Sequence, residues 1–307
     1  MKQTILLLLI LLNPFTDAMN LPSQIAESAF FEQFQVGMQI ARRAGEELVK
    51  TRQSGEDLKI QYLKDYDGRL IPETIADQRS NELICKELLK HFPHYGLITQ
   101  NPIDDANVQK AMENWRTTEF TWVIDALDGT QTYIDGGDEF GIHIGLTQNG
   151  ESILGINYFP LLDTTYYAIK GCGAYKQKGN APAERIGVKP SDDIRPLYAT
   201  VAPINRTIYE GLLGKDVMPE EFPKVGSCGL RICRVVDGTY NLYVSSGVRG
   251  WIWDFCSAEI VMREAGGFIS DLKGNPLDFR SDNMKLKQGA VVTSDKAIYE
   301  KVIKLAS

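Results

Sequence analysis

Apolar residues recur at the spacing of an amphipathic helix in two segments of the first part of the chain. The pattern predicts helices over residues 30–49 and 77–91, and Phe92-Pro93 ends the second of them. The polar stretches at residues 53–68 and 102–116 are predicted to loop out on the surface. Two helices with loops beside them are thus expected before residue 120.

From residue 120 onward the pattern changes to that of β-strands. Strands are predicted over residues 120–124, 141–146, 152–159, 164–169, 198–202 and 240–244, and helices over 207–213 and 254–265. The loop-rich residues 182–196 are interpreted as the boundary between two halves, 22–185 and 186–307. Because helices and strands alternate without the strict period of a doubly wound fold, a layered mixed α/β architecture is favoured.

The composition limits the classes of function. A chain of 307 residues, 43% hydrophobic and 24% charged, can form a full hydrophobic core. At about 150 residues per domain, this length corresponds to two domains or one large two-part domain. Lys and Arg number 33 against 40 Asp and Glu, so the formal net charge is -7. An acidic chain without a basic run is a poor candidate for binding a nucleic-acid polymer, whereas a small anion held by a metal or a helix N-terminus is compatible with it.

Residues 1–18 have the pattern of a secretory signal peptide, with Lys2, an apolar run over residues 5–12 and Ala18 at the end. The run is shorter than the roughly 20 apolar residues of a membrane span. The alternative is that Met19 is the true first residue. We expect an exported protein, periplasmic or secreted and without a membrane span after cleavage, if the signal is used, and a cytoplasmic protein otherwise.

The cysteines favour neither zinc binding nor disulfide pairing. The five of them lack the spacing of a zinc site, and their odd number argues against a complete disulfide framework. Cys228, Cys233 and Cys256 lie among small or apolar neighbours, where a free thiol behaves as a small hydrophobe. Buried, unreactive thiols are predicted, which argues mildly against export.

The densest chemical signal is a β-rich run that ends in Asp125, Asp128, Gly129 and Thr130. Two carboxylates at the end of a buried strand would repel each other, and a divalent cation such as Mg²⁺ would remove that cost. The main-chain N–H groups of Gly129 and Thr130 would then point at an anion held by the same metal. The alternative is a turn in which the aspartates only cap a helix.

A second acidic position lies far along the chain. Asp254 falls in the first turn of a predicted helix that ends at Gly266-Gly267. Its charge suits the helix dipole there, and its carboxylate could reach the metal site. The alternative is again a simple N-terminal cap.

Other candidate residues receive structural interpretations. His91 and His94 are interpreted as residues at a helix end, and His143 as a packed residue within a strand. Trp251 and Trp253 are interpreted as core aromatic residues rather than as a platform for a base.

Five segments in this order resemble the inositol monophosphatase superfamily of Mg²⁺-dependent, lithium-sensitive phosphomonoesterases. The resemblance extends from about residue 34 to about residue 294. The segments are residues 72–77 (PETIAD), 125–130 (DALDGT), 139–146 (EFGIHIGL), 226–233 (GSCGLRIC) and 253–267 (WD to GG). The resemblance implies a five-layer αβαβα sandwich with the site between two sheets, a small phosphorylated substrate and, from the relatives, a homodimer.

The resemblance also implies a set of metal ligands. Asp125, Asp128 and Asp254 would bind Mg²⁺ with their carboxylates, and Leu127 would bind it with its carbonyl oxygen. Asp77 would bind a further, weaker metal and take part in catalysis. The metal site would therefore lie largely in the first half of the chain.

The phosphate-binding and catalytic groups follow from the same resemblance. Gly129 and Thr130 would hold the phosphate through their main-chain N–H groups, and the Thr130 hydroxyl would orient the attacking water. The reaction is then an in-line attack of water on phosphorus, with metals that activate the water and stabilise the leaving alkoxide.

One position departs from the family pattern. The family has Gly/Ser-Glu-Glu upstream of the Asp-x-x-Asp motif, and its first Glu is a metal ligand that also positions the water. Gln100 stands at the matching position, followed by Asn101, and a rearranged loop would be needed to bring Asp104 or Asp105 there instead. An amide oxygen can bind Mg²⁺ but adds no charge and accepts no proton. Gln100 is therefore expected to be a weaker metal ligand and catalytic residue; the alternative function is an impaired family member that binds a phosphorylated ligand without efficient turnover.

Two branches of the family compete for the substrate. A 3'(2'),5'-bisphosphate nucleotidase of the CysQ type is suggested by residues 164–168 and by Leu230-Arg231, and an inositol monophosphatase by the compact residues 245–249. Arg249 is expected to face the leaving group of the substrate, with an exposed loop arginine as the alternative. Both branches predict hydrolysis of a small phosphorylated alcohol.

Overall fold

The computed structural model describes most of the chain. The described residues are 21–64, 68, 70–101, 103–189, 196–198, 203–214, 225–247, 250–281 and 284–307. The predicted signal peptide at residues 1–18 and Arg249 lie outside them, so both interpretations stay predictions.

The chain alternates irregularly between helices and strands. The helices are α1 (Ser23–Ala26), α2 (Phe31–Gln53), α3 (Ile75–His91), α4 (Ala106–Asn114), α5 (Thr130–Ile134), α6 (Pro203–Leu213), α7 (Cys228–Val236), α8 (Ile252–Glu264) and α9 (Lys296–Ala306). The strands are β1 (Gln61–Lys64), β2 (Leu70–Glu73), β3 (Gly96–Thr99), β4 (Phe120–Asp128), β5 (Gly141–Gln148), β6 (Glu151–Phe159), β7 (Thr164–Ile169), β8 (Gly173–Lys178), β9 (Glu184–Ile186), β10 (Pro196–Tyr198), β11 (Leu242–Ser245), β12 (Phe268–Ser270) and β13 (Ala290–Thr293).

These elements stack in five layers. Helices α2 and α3 cover one face of a large sheet, and helices α7 and α8 lie between that sheet and a smaller one. Helices α6 and α9 cover the outer face of the smaller sheet. The expected αβαβα sandwich is confirmed, while the division into halves at residues 185 and 186 stays a prediction.

The strand order brings two chain segments to one edge of the large sheet. That sheet runs β3-β4-β5-β6-β7-β8-β9, the smaller one runs β10-β11-β13-β12, and β1 and β2 form a separate hairpin. Strands β3 and β4 are parallel, with Thr99 opposite Ile124, and the pairs from β4 to β9 are antiparallel. Because the carboxyl ends of parallel strands meet at one edge, Gln100 lies next to the last residues of β4.

A row of small residues lets helix α8 lie directly on the backbone of the large sheet. Gly145 pairs with Gly155, and Gly155 with Ala168, in neighbouring strands. A Cβ atom at position 155 would overlap the carbonyl oxygen of Ser257 in α8, and one at position 145 would lie 2.7 Å from Sγ of Cys256. This close approach determines how near the first turn of α8 comes to the end of β4.

Two predicted surface loops contain regular structure, so the prediction was wrong for those parts. Residues 53–68 include β1, whose side chains are all exposed, so no buried face marks it in the sequence. Residues 102–116 include α4, which Asp105 begins by accepting two main-chain N–H groups and which packs through Val108 and Ala111. Two buried side chains are too few to show a helical period.

No helix in the described ranges is long and apolar enough to cross a bilayer. All five cysteines are free; Cys172 is half-buried and the others are buried. Burial raises the pKa of the Cys85 thiol to about 12, and it raises those of Cys228, Cys233 and Cys256 as well. The prediction of buried, unreactive thiols is confirmed for these four.

Replacement of Gly155 by Ala is expected to destabilise the protein by about 3 kcal/mol, because the new methyl group overlaps a main-chain carbonyl that cannot move without shifting α8. Urea unfolding followed by circular dichroism measures the change. Gly187→Ala is the matched control, since its nearest neighbour would lie 3.6 Å away and its φ is not in the left-handed region. Equal stability of the two variants would contradict the close approach of α8 to β6.

Candidate metal centre

The end of β4 departs from regular pairing at the two aspartates. The register between β4 and β5 shifts between Asp125 and Asp128. The N–H of Leu127 donates to Oδ1 of Asp125 (3.1 Å), and the hydroxyl of Thr130 donates to the carbonyl oxygen of Leu127 (3.1 Å). The chain is therefore held in an irregular conformation where the sequence predicted the chemistry.

Helix α8 contributes the third carboxylate. Asp254 lies in its first turn, and Oδ2 accepts the main-chain N–H of Trp251 at 2.9 Å. The two interpretations of Asp254 from the sequence are thus compatible, because the side chain caps its own helix and also lies beside the aspartates of β4.

The three aspartates form one buried cluster. One carboxylate oxygen each from Asp125, Asp128 and Asp254 lie within 4.8 Å of one another. The residues are 2%, 8% and 7% exposed, respectively, so water screens their charges only weakly. A set of hard, anionic oxygen donors at this spacing fits a divalent cation such as Mg²⁺.

The protonation of the cluster reflects its crowding. Burial, followed by the charges of Asp128 and Asp254, raises the pKa of Asp125 well above its usual range. Burial and the charge of Asp128 raise the pKa of Asp254 to about 8. The repulsion anticipated from the sequence is therefore present in the folded chain, and a cation would remove it.

Asp128 behaves differently because three donors reach it. Its Oδ2 accepts hydrogen bonds from Nε2 of His143 (2.8 Å), from Oγ of Ser227 (2.6 Å) and from the N–H of Gly229 (2.8 Å). Burial alone would raise the pKa of Asp128, but the hydrogen bond and the charge of His143, followed by the hydrogen bonds from Ser227 and Gly229, lower it below the usual value.

The sequence predicts that His143 is a packed residue and gives no link between it and Asp128. The packing is confirmed, because the ring is fully buried and meets Phe159 edge-on at 5.8 Å. The hydrogen bond depends on the pairing of β5 with β4, which places His143 directly opposite Asp125. The sequence signal for this contact is a polar residue on the strand that follows a metal-binding motif.

Asp77 lies beside this cluster and is joined to Thr130. Its Oδ2 accepts the N–H (2.8 Å) and the hydroxyl (2.7 Å) of Thr74, and its Oδ1 accepts the Thr130 hydroxyl at 2.9 Å. Burial raises the pKa of Asp77 to about 6. Within the described residues, Asp77 is not among the three carboxylates grouped as a metal site, so its role as a metal ligand stays a prediction.

The segment after β3 offers amides at this edge of the sheet. Gln100 is half-buried, and Asn101 is fixed by its side-chain amide, which donates to Glu73, and by its carbonyl oxygen, which accepts from Asn81. Asp105 is engaged elsewhere, since it caps α4 and lies 3.9 Å from Lys86.

Asp104 is exposed, and within the described ranges it accepts a long hydrogen bond from Gln109. Neither Asp104 nor Asp105 belongs to the described group of carboxylates at the metal site, so this pair does not supply the carboxylate lacking at Gln100.

The segment predicted to bind phosphate begins with a conformation that requires glycine. Gly129 has a φ of 89°, and a Cβ atom there would lie 3.1 Å from the carbonyl oxygen of Glu139. It is followed by α5, whose first N–H groups have no partner within the helix. Trp251 and Trp253 stack on each other at 5.1 Å and are buried, so their interpretation as core residues is confirmed.

Comparison with known proteins gives concordant results. A sequence model of the inositol monophosphatase family matches residues 32–307. A 3'(2'),5'-bisphosphate nucleotidase CysQ from Haemophilus influenzae is 29% identical over 250 residues, which cover 80% of this chain and 90% of that protein. An inositol monophosphatase 3 from Solanum lycopersicum is 27% identical over 262 residues, which cover 83% of this chain and 91% of that protein.

The fold has a solved counterpart in an IMPase from Thermotoga maritima. The two structures align with a TM-score of 0.68 at 22% identity, over 90% of this chain and 96% of that one. At this level of identity the likeness supports the fold alone.

The cluster should make stability depend on pH in a way that Mg²⁺ reverses. The pKa of Asp254 is raised from 3.8 to about 8, so the folded state binds this proton more tightly than the unfolded chain does. This contribution to stability is complete below the unfolded value and is lost as the pH rises through about 8. In EDTA the unfolding temperature is expected to fall between about pH 6 and 8.5, and Mg²⁺ is expected to raise it more at the higher pH.

Differential scanning fluorimetry measures both effects. Asp254→Asn is the matched control, because its amide oxygen can still accept the N–H of Trp251 while the charge is removed. The control is expected to show a flatter pH profile in EDTA and a smaller gain from Mg²⁺. An unfolding temperature that is constant or rises with pH in EDTA would contradict the repulsion.

Proposed function

The chain belongs to the inositol monophosphatase family, whose members are metal-dependent phosphatases, and we propose that it uses Mg²⁺ to hydrolyse the phosphate monoester of a small alcohol. The observation that carries the proposal is the group of three buried carboxylates, one oxygen each, within 4.8 Å of one another. They come from two distant parts of the sequence, and the metal chemistry expected of the family needs just such a set of oxygen donors.

The proposed ligands of Mg²⁺ are the carboxylates of Asp125, Asp128 and Asp254 and the carbonyl oxygen of Leu127. That carbonyl accepts the Thr130 hydroxyl with one lone pair and keeps a second for a metal. When bound, the metal supplies the charge that activates water and stabilises the leaving alkoxide. Gln100 would add a neutral amide oxygen at the edge of this site.

The proposed phosphate cradle consists of the N–H groups of Gly129 and Thr130 at the start of α5. The left-handed conformation of Gly129 supports this role, because it turns the chain sharply between the end of β4 and the helix. Phosphate oxygens held there would lie beside Leu127 and Asp128, since both are neighbours in the chain.

Thr130 and Asp77 are suited to handle the proton of the attacking water. The single proton of the Thr130 hydroxyl is within reach of two acceptors, Oδ1 of Asp77 (2.9 Å) and the Leu127 carbonyl oxygen (3.1 Å). When it is donated to Asp77, the nearer of the two, the lone pairs of the hydroxyl are left to accept a proton. As the water oxygen bonds to phosphorus and the ester bond breaks, the water proton passes to Thr130 while the Thr130 proton passes to Asp77. A pKa of about 6 makes Asp77 an effective acceptor near neutral pH, and the leaving alkoxide takes its proton from solvent.

Two substrate classes are proposed for this site. The sequence relatives include a bisphosphate nucleotidase and an inositol monophosphatase at nearly equal identity, 29% and 27%, so the relatives favour neither class. The common chemistry is a phosphate monoester on a hydroxylated ring. Arg249, proposed to face the leaving group, is the residue whose contacts would separate the two classes.

Gln100 supports a second candidate function. A neutral amide in place of a carboxylate lowers the charge that the site offers to Mg²⁺, and neither Asp104 nor Asp105 compensates for it. The chain would then bind a phosphorylated ligand and release phosphate slowly or not at all. The two candidates differ in turnover and share the binding site.

Replacement of Asp125 by Asn is expected to reduce phosphate release about 1,000-fold or more, because a direct metal ligand loses its charge. Phosphate release is measured with Mg²⁺ on inositol monophosphate and on adenosine 3',5'-bisphosphate, with and without Li⁺. Asp104→Asn makes the same chemical change at an exposed position and is expected to leave the rate unchanged. Equal rates for the two variants would exclude Asp125 from the metal site.

Replacement of Gln100 by Glu is expected to strengthen Mg²⁺ binding and to raise the rate of phosphate release, because it restores a charged ligand that can accept a proton. Titration calorimetry and the same phosphate assay measure the two effects. Gln109→Glu, which adds the same charge on the exposed side of α4, is the control. An inert wild type with an active Gln100→Glu variant would favour the binding function, whereas turnover by both would show that the amide is tolerated.

A further inference from the structure

The carboxylate of Asp128 is held in a way that neither of the other two aspartates shares. We propose that His143, Ser227 and the N–H of Gly229 form a clamp on Asp128, which fixes Oδ2 and leaves Oδ1 as the oxygen presented to a metal. The inference rests on the proposed function, because it takes Asp128 as a ligand of Mg²⁺. It makes His143 a positioning residue that acts through Asp128.

The three donors converge on one oxygen atom. Nε2 of His143 lies 2.8 Å, Oγ of Ser227 2.6 Å and the N of Gly229 2.8 Å from Oδ2 of Asp128. A carboxylate oxygen has about two lone-pair positions, so three donors saturate it. Oδ1 accepts no hydrogen bond from the residues that the structure describes, and it is therefore the oxygen available for coordination.

The hydroxyl of Ser227 has its direction set by the helix that it begins. Its oxygen accepts the N–H of Leu230 at 3.1 Å as the N-cap of α7. Because that contact uses a lone pair, the hydroxyl proton is free to point at Asp128. The cap and the clamp thus use different parts of the same group.

His143 contacts the clamp through one ring nitrogen. The ring is 0% exposed, and Nδ1 is buried with no hydrogen-bond partner among the described residues. Nε2, which lies 2.8 Å from Oδ2 of Asp128, is therefore the atom through which His143 positions the carboxylate.

The position of the ring is determined by packing from two layers. His143 lies in β5 and meets Phe159 of β6 edge-on, while Gly229 of α7 lies against the other part of the ring. A Cβ atom at position 229 would overlap the imidazole, so glycine is required there. The imidazole is therefore wedged between the large sheet and α7, and the carboxylate that it contacts is fixed with it.

The other two aspartates have fewer protein donors. Asp125 accepts the N–H of Leu127, Asp254 accepts the N–H of Trp251, and a hydrogen bond joins the two carboxyl groups to each other. Asp128 is the most constrained of the three ligands, and the others can adjust around an ion that it locates. Groups that orient a metal ligand in this way contribute about 10–100-fold to metal affinity.

The test is the Mg²⁺ affinity of variants at position 143, measured by titration calorimetry. His143→Leu fills the space without a donor and is expected to weaken Mg²⁺ binding about 10–100-fold. His143→Gln keeps an N–H donor at similar reach and is expected to recover most of that loss. Thr147→Val is the control in the same strand as His143. It removes a buried hydroxyl that donates to the carbonyl oxygen of Thr121, and the variant is expected to bind Mg²⁺ like the wild type.

Each outcome bears on a different claim. A wild type that binds no Mg²⁺ and releases no phosphate overturns the proposed function. A wild type that binds Mg²⁺ together with a folded His143→Leu variant of equal affinity overturns the clamp and leaves the function standing. If His143→Leu does not fold, as judged by circular dichroism in EDTA, Ser227→Ala takes its place: a loss of about 10-fold or more supports the clamp, and wild-type affinity overturns it.

Discussion

Three like charges held a few ångströms apart in the interior are the constraint on which this structure depends. Two unit charges 4 Å apart cost about 4 kcal/mol at an effective dielectric constant of 20. In the folded chain by itself, proton binding reduces this repulsion, as the raised pKa values of Asp125 and Asp254 indicate. A divalent cation reduces the same repulsion without protons, so the site fits a metal better than it fits any neutral ligand.

The scaffold brings these charges together from two adjacent layers. Asp125 and Asp128 lie in the last part of β4, the second strand of the large sheet, and Asp254 lies in the first turn of a helix in the layer next to it. The distance between the layers is short because Gly145 and Gly155 present backbone rather than side chains to α8. The packing of the middle layer therefore sets the distance between Asp254 and the aspartates of β4.

Part of this arrangement could be predicted from the sequence, for a physical reason. Asp125 and Asp128 lie at the end of a β-rich run and Asp254 in the first turn of a strongly helical segment, so local pattern was enough to place each one. Their meeting was anticipated from the family resemblance and from the cost of leaving such charges unpaired. The layered α/β class followed from the alternation of helices and strands.

The rest depends on contacts that no local pattern encodes. The contact of His143 with Asp128 follows from the register of β5 on β4. Ser227, which also donates a hydrogen bond to Asp128, lies 99 positions further along the chain. Strand β1 has no buried face, and α4 buries Val108 and Ala111 alone among its residues, so neither element shows a periodic pattern of hydrophobic residues in the sequence.

Asp254 has two roles, and together they affect how the protein would release its ion. One oxygen of its side chain accepts a hydrogen bond that stabilises the first turn of α8, and the carboxylate also belongs to the cluster of three aspartates. Fraying of that turn and departure of the cation are thus linked equilibria, and each favours the other. The amide protons at the beginning of α8 should exchange with solvent more slowly when the ion is bound, which makes this helix end a natural reporter of occupancy.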